Sequence, residues 1–252
     1  MTREPLSVVV TSFNSEATLE ACLASVAWAD EIVVLDSGST DATQAIAHAH
    51  GAHGFTQPFA GYSAQKQAAI DLATHDWVLL LDADEAVAAA DVPRLQAALV
   101  EPRAAGFELW RREWIFWRWQ SPRSRHNHYV RLFDRRRARM NGLIVHETVA
   151  VTGEVRRLDV MLEHHDKRDI AARVAKANTY STLQVADLDA RGVRHLRWRM
   201  VAYPWVAFAR YYFLRGHWRE GWAGFVAARV HAFYAFLKYA KLFEARRGQS
   251  RR

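Results

Sequence analysis

Asp76-Trp77-Val78-Leu79-Leu80-Leu81-Asp82-Ala83-Asp84-Glu85 is the stretch on which the fold turns. A short unbroken apolar run stopped abruptly by carboxylates reads as a strand buried on both faces, the kind that parallel sheets use. Two earlier runs repeat the pattern. Residues 6–11 lead into Ser12-Phe13-Asn14, and residues 32–35 into Asp36-Ser37-Gly38-Ser39-Thr40-Asp41. Between the runs, the spacing predicts a helix capped by Ser15 and carrying Leu19, Leu23 and Val26, a helix over 42–49, a short strand near 53–56, and a helix over 63–73. Strands alternating with helices indicate an α/β chain with a parallel sheet and right-handed crossovers. Ligands of such sheets bind beyond the carboxyl ends of the strands. The polar clusters at Asn14, Asp36 and Asp82-Ala83-Asp84 all fall there.

The composition agrees with a large packed domain carrying an appendage. Half of the 252 residues are hydrophobic and 12% are aromatic, which excludes a disordered chain. One cysteine, Cys22, excludes a disulfide framework and a cysteine-based zinc site, and fits a reducing compartment. Residues 1–5 hold no apolar run, so no secretory leader is expected. The net charge of +7 hides an asymmetry. Residues 1–100 hold 3 Lys/Arg against 13 Asp/Glu, whereas residues 191–252 hold 14 against 2. An acidic front and a basic, aromatic tail point to different partners.

Asp82 and Asp84 are expected on one side of an extended segment. Paired carboxylates in a cleft repel, and a divalent cation relieves them. Hard oxygen ligands suit Mg²⁺ or Mn²⁺, which keeps phosphate and water ligands of its own. The loop after the first strand has none of the glycines of a dinucleotide fingerprint. The chain also carries no Gly-Lys-Ser/Thr phosphate loop and no Gly-x-Ser-x-Gly elbow, which removes the usual dehydrogenase, NTPase and hydrolase readings.

In order, Val8-Val9-Val10-Thr11-Ser12-Phe13-Asn14, the Asp36–Asp41 loop and Asp76 through Glu85 resemble glycosyltransferase family 2. Arg131-Leu132-Phe133, Val145-His146-Glu147 and Lys176-x-Asn178-x-Tyr180-Ser181 resemble its bacterial lipopolysaccharide core β-glycosyltransferases. The resemblance implies an inverting enzyme of GT-A fold, α/β with a mainly parallel sheet. It places Thr11 and Asn14 at the nucleotide pocket, Asp36 against uracil, Asp82 on ribose or metal, and Asp84 on the metal of the diphosphate. Gln65 and Lys66 lie in the stretch that reaches the nucleotide, or are ordinary helix residues. Glu147 is placed as the general base that an inverting transfer needs at the acceptor hydroxyl, with Glu85 and Asp134 as rivals. His164 or its neighbour His165 would complete the metal shell. Arg131 would anchor the diphosphate or an anionic acceptor group, or pack on an aromatic ring. His126 and His128 read as loop residues near the acceptor, or as an alternate pair on a strand.

The resulting expectation is a GT-A domain over 1–190 and a helical, membrane-associating extension over 191–252. Residues 200–214 are apolar but interrupted by Pro204 and Arg210, too short to span a bilayer. Trp222, Val226, Val230, Phe233, Leu237 and Ala240 share one helical face, followed by Arg246, Arg247, Arg251 and Arg252, the pattern of a helix lying on anionic lipid or packing on the core. Arg229 interrupts that face unless it finds a partner. Nucleic acid is not expected as a partner. The expected partners are a nucleotide-sugar donor, above all UDP-glucose, a lipid-linked saccharide acceptor and an anionic membrane surface. The expected place is the cytoplasmic side of the bacterial inner membrane. Alternatives are the same chemistry on a polyprenyl-linked or exopolysaccharide acceptor, or a non-catalytic membrane-bound scaffold.

Overall fold

The computed structural model describes residues 2–142 and 147–249. Leu143, Ile144, Val145 and His146, and with them the apolar run expected before Glu147, lie outside the described residues, as do Arg251 and Arg252.

In chain order the first half runs β1 (Leu6–Ser12), α1 (Leu19–Ser25), β2 (Glu31–Asp36), α2 (Thr43–Ala49), β3 (His53–Thr56), α3 (Tyr62–Leu72), β4 (Trp77–Asp82), β5 (Glu85–Val87) and α4 (Val92–Ala98). It continues with β6 (Gly106–Ile115), β7 (Arg118–Trp119), β8 (Asn127–Asp134), β9 (Ala138–Met140), β10 (Val149–Val151) and β11 (Val155–His164). Three helices follow, α5 (Ile170–Ala190), α6 (Leu196–Ala209) and α7 (Trp222–Gln249).

The main sheet has the order β3-β2-β1-β4-β8-β6-β11-β5. Its first four strands pair in parallel, with Thr11 level with Leu35 and Asp82 and Ser12 level with Asp36. Beyond them β8 pairs antiparallel with β4 and with β6, and β11 with β5, Trp77 of β4 facing Asp134 of β8 and His164 of β11 facing Glu85 of β5. The unbroken apolar runs have the cause inferred from them. Val8, Val10, Leu79 and Leu81 pack into a core on one face, and Val9, Val33, Leu35 and Leu80 into a second core on the other.

Two local details differ from expectation. Ser15 does not cap α1 with its side chain. Instead its carbonyl accepts from Thr18 and Leu19, because a turn separates β1 from a helix that starts only at Leu19. Asp84 is not on an extended segment; β4 ends at Asp82, and Ala83-Asp84 form the tight turn into β5.

By compactness the chain divides into one unit of Met1–Arg112 with Asn127–His165 and another of Glu113–His126 with Asp166–Arg252. Within the second, the buried seam of α7 is built from Ala223, Ala227, Ala228, Ala232, Ala235, Tyr239 and Leu242. The stripe from Trp222 to Ala240 lies on the opposite side of that helix and is half-buried to exposed. Small residues win the seam because they let helices approach closely, and the bulky aromatics are left outside. Arg229 finds its partners in the Trp205 and Phe208 rings of α6, at 6.0 and 5.9 Å. The apolar residues of α5 are only partly inward. Ala177 and Ser181 are buried, but Leu183 and Ile170 are exposed. Among the described residues no helix is long and apolar enough to cross a membrane.

Candidate active site

The carboxyl ends of β1, β2 and β4 lie side by side, so the loops behind them form one rim. At β2, Asp36 is buried and accepts from Ser12 Oγ (3.0 Å), from the backbone N–H groups of Gly38 (3.0 Å) and Ser39 (2.7 Å), and from Gln44 Nε2 (3.0 Å). Burial opposes its charge, yet the donors from Ser39, Gln44 and Ser12 prevail and hold the carboxyl below its ordinary range. Asn14, with φ of 46°, stitches the neighbouring loop to this one. Its N–H donates to Ser39 Oγ (2.8 Å) and its Oδ1 accepts from Thr40 N–H (3.0 Å). Thr11 sits half-buried between them on β1. Asp36 therefore organises the loop, and a uracil N–H would have to displace or share one of its present donors.

At β4 the two acids have opposite surroundings. Asp82 Oδ1 receives Lys66 Nζ from α3 at 2.8 Å, and its Oδ2 receives Arg131 Nη2 from β8 at 2.9 Å. Lys66 is buried, as is Arg131, so neither is an ordinary exposed surface residue. Lys66 Nζ also reaches Glu147 Oε1 at 3.4 Å. The same Arg131 nitrogen donates to Glu85 at 2.6 Å, and Arg111 Nη1 of β6 donates to Glu85 at 3.2 Å. Burial works against ionising Asp82, but the Arg131 and Lys66 cations outweigh it and hold its carboxyl far below the usual carboxylate range. Burial likewise opposes the Arg131 charge, and Glu85 with Asp82 overcomes it and raises the guanidinium above its ordinary value.

Three cations (Lys66, Arg111, Arg131) thus meet three carboxylates (Asp82, Glu85, Glu147). Asp84 stands apart. Among the described residues its side chain meets His164 Nε2, at 3.2 Å from Oδ2. The backbone N–H of His165 holds the Asp84 carbonyl at 2.7 Å, so of the two histidines it is His164 whose ring reaches the acid.

This arrangement tests whether a cation fits. Among the described residues no group of three His, Cys, Asp or Glu side chains is arranged to hold a metal. A pair is present, and adjacent ligands of an octahedral Mg²⁺ or Mn²⁺ at about 2.1 Å stand roughly 3 Å apart, close to the Asp84–His164 separation. A carboxylate and an imidazole, with the remaining positions left for diphosphate and water, suit such an ion when substrate brings the other ligands.

The rivals of Glu147 are poorly placed for an acceptor. Glu85 is fully buried and occupied by two arginines and the Asp82 N–H. Asp134 faces Trp77 at the opposite end of β4, about 16 Å along the strand from Asp82, and is engaged by Arg136. His128, expected in a loop or on a strand, lies on β8, where alternate residues of paired strands meet; its ring is tilted against Trp110 at 5.4 Å and lies 3.8 Å from Glu108. Sequence reasoning missed Arg111 and the role of Glu85 as a clamp for Arg131. The one signal was the two-residue alternation Leu109, Arg111 on a strand next to Tyr129, Arg131. Arg111 lies over the Tyr129 ring at 4.6 Å and Arg131 at 5.7 Å.

Comparison with known proteins bears on the family of the chain. Residues 7–153 match the family described as Glycosyl transferase family 2. The chain is 33% identical over 251 residues to the lipopolysaccharide core biosynthesis glycosyltransferase LpsC of Rhizobium meliloti (strain 1021), covering 95% of this chain and 92% of that one. It is 30% identical to an uncharacterized glycosyltransferase of Rickettsia felis, covering 96% and 90%. A crystal structure of glucosyl-3-phosphoglycerate synthase from Mycobacterium tuberculosis overlaps 43% of this chain and 44% of its own, with 28% identity and a TM-score of 0.38, too partial for a comparison of sites.

Proposed function

The chain belongs to glycosyl transferase family 2, and from that premise we propose an inverting hexosyl transfer, with UDP-glucose as donor, onto a lipopolysaccharide core acceptor. The acceptor class draws on the lipopolysaccharide core biosynthesis named for the Rhizobium relative, which the chain matches over nearly its whole length. The observation that carries the reading is the division of labour at the end of β4. Asp82 is neutralised by the protein's own cations, while Asp84 is left with a histidine.

In this reading the nucleotide lies along the rim of Thr11, Asn14 and Asp36, and Lys66 and Arg131 hold Asp82 where the ribose passes. Asp84 and His164 would hold Mg²⁺ or Mn²⁺. When bound, that ion supplies positive charge opposite the departing diphosphate. Glu147 takes the proton of the acceptor hydroxyl. The freed oxygen attacks the anomeric carbon from the face opposite the leaving group, and the bond to the diphosphate breaks with its electron pair leaving on UDP. Lys66, in reach of both Glu147 and Asp82, ties the base to the donor side of the cleft.

The proposal assigns the transferase to residues 1–190 and a membrane-surface role, on the cytoplasmic face of the inner membrane, to 191–252. The test is transfer measured with purified acceptor lipid. Asp84→Ala is expected to abolish divalent-dependent transfer, and Glu147→Gln to bind UDP normally yet lose turnover by about a thousandfold. Retained turnover in Glu147→Gln reassigns the base; products found on a polyprenyl-linked sugar instead of core lipid reassign the acceptor.

A further inference from the structure

The helical unit carries a second charged feature that the proposed chemistry leaves unused. A cleft of about 640 Å³ opens between the start of α6 and the end of α7, within the range of about 300–1,000 Å³ typical of ligand sites. Arg194, Arg197, Arg246 and Arg247 line it with His195, and its floor includes the Phe243 ring. Arg246 is fixed in place by Asp189 Oδ1 (2.7 Å) and the Val193 carbonyl (2.6 Å). Arg197 and Arg247 lie over Phe243 at 5.9 and 5.3 Å. Among the described residues no acid is part of its lining, and Asp189 meets it only through Arg246. Guanidinium forks converging on one space recognise a phosphate, whose oxygens they meet in pairs.

The cleft also adjoins apolar surface. Trp198 is one of its lining residues and the first of an outward stripe along α6, in which Trp198, Val201 and Trp205 are 64%, 68% and 65% exposed. Spacings of three and four put these on one helical face. Val206, Phe213 and Leu214 are exposed farther along. From Leu196 to Leu214 the chain has no acidic residue, and residues 191–252 as a whole hold 14 Lys/Arg against 2 Asp/Glu. An exposed Trp-rich stripe of this kind marks an interaction surface, and Trp settles at the headgroup level of a bilayer.

We propose that the arginine cleft seats the phosphate of an anionic lipid headgroup while the Trp198–Trp205 face of α6 lies in the interface of the same bilayer. The inference rests on the membrane-surface reading above and deepens it. It adds the outward face of α6 to the α7 stripe that the sequence pattern singled out, and it names a headgroup site. Apolar insertion or charge attraction alone gives marginal, reversible binding, and the two together give stable attachment.

The test is sedimentation of the full chain with vesicles of phosphatidylcholine, of phosphatidylcholine doped with phosphatidylglycerol, and of phosphatidylcholine doped with oleate at equal surface charge. Binding is expected to favour phosphatidylglycerol over both others. The triple variant R194Q/R197Q/R247Q should lose on the order of a hundredfold in affinity for those vesicles, from about 1 kcal/mol per arginine at the surface. W198S/W205S should weaken binding to every vesicle. Equal binding to oleate vesicles, or an unaffected triple variant, overturns the headgroup site. Release by millimolar inorganic phosphate would make it a free-phosphate pocket, and displacement by single-stranded nucleic acid at matched salt a general polyanion surface; each overturns the proposal. The rise in melting temperature with UDP and Mn²⁺, read on the same variants, keeps the two readings separate. Its absence in every variant and in the parent, with vesicle binding intact, sinks the transferase site and spares the cleft.

Discussion

Asp82 and Asp84 are two residues apart, and their chemistry is set by which side chains reach them. Removing the Asp82 charge leaves Lys66 and Arg131, both buried, without their shared anion, a large penalty in a poorly solvated place. Asp82→Asn is therefore expected to cost about 2–3 kcal/mol in urea unfolding, whereas Asp84→Asn should leave stability within about 0.5 kcal/mol of the parent and lose divalent-dependent transfer. The pH dependence follows from the depressed Asp82 carboxyl. Because the folded group titrates below the unfolded value of about 3.9, its stabilisation is complete above that pH and is lost as pH falls. The stability gap between the parent and Asp82→Asn should be constant from pH 7 to about pH 5 and shrink below about pH 4. A gap that widens with acid would contradict the ion pairing. Asn14 is a second single-residue case. Its left-handed backbone and its bond to Thr40 predict that Asn14→Ala costs about 2 kcal/mol and Asn14→Gly about half that. UDP affinity should fall with both, since the loop they loosen is the rim.

At the scale of elements, α7 depends on how its first turn meets the turn before it. A Cβ at Gly224 would lie 1.8 Å from the backbone carbonyl oxygen of His217, and backbone cannot step aside as a side chain can. At Gly248 an added Cβ meets nothing within 4 Å. Gly224→Ala is accordingly expected to destabilise by about 3 kcal/mol or more, while Gly248→Ala should be neutral or stabilise by up to about 1 kcal/mol through helix propensity. Thermal melts of the two variants check the contrast, and equal melts would mean that α7 does not start where the structure has it. The polar knot below that start is all internal to the unit. Ser124 Oγ donates to Glu220 Oε1 (2.7 Å) and to the Gly216 carbonyl (2.9 Å), and His217 stacks on Tyr211 at 4.1 Å between ring centroids. Burial opposes the Glu220 charge, but His217, Ser124 and the Ser121 N–H prevail and keep it ionised below the ordinary range.

For the whole molecule, the charge differs in sign between the acidic front and the basic tail, so the two proposed binding roles call for different partners. A nucleoside diphosphate is itself an anion, and residues 1–100 with their 13 acids would repel it without a counterion. UDP alone should therefore raise the melting temperature little, and UDP with Mn²⁺ much more. At a hundredfold excess over its dissociation constant, a ligand confined to the folded state adds about 2.7 kcal/mol, or roughly 5–10 °C for a chain of this size. An equal shift with and without Mn²⁺ would remove the ion from the donor site. The GT-A frame supplies the reason the rim exists at all: parallel strands end together, and whatever follows each of them is brought within reach of the others.

Periodicity and punctuation alone determined the order of strands and helices from β1 to β4, the two-sided burial of β1, β2 and β4, and the gathering of Asn14, Asp36 and Asp82 at one edge, but not β5 or α4. Those are consequences of local chain geometry, in which an apolar run and its terminating residues are neighbours in sequence. Only the tertiary structure decided which acid is neutralised and which is left with a histidine, because Arg131 comes to Asp82 from 49 residues away, His164 to Asp84 from 80, and Lys66 to Glu147 from 81. It also decided which face of each helix is left outward. An apolar stripe has the same spacing whether it is packed or exposed, and the small-residue seam of α7, not the stripe itself, settled which faces were left to solvent.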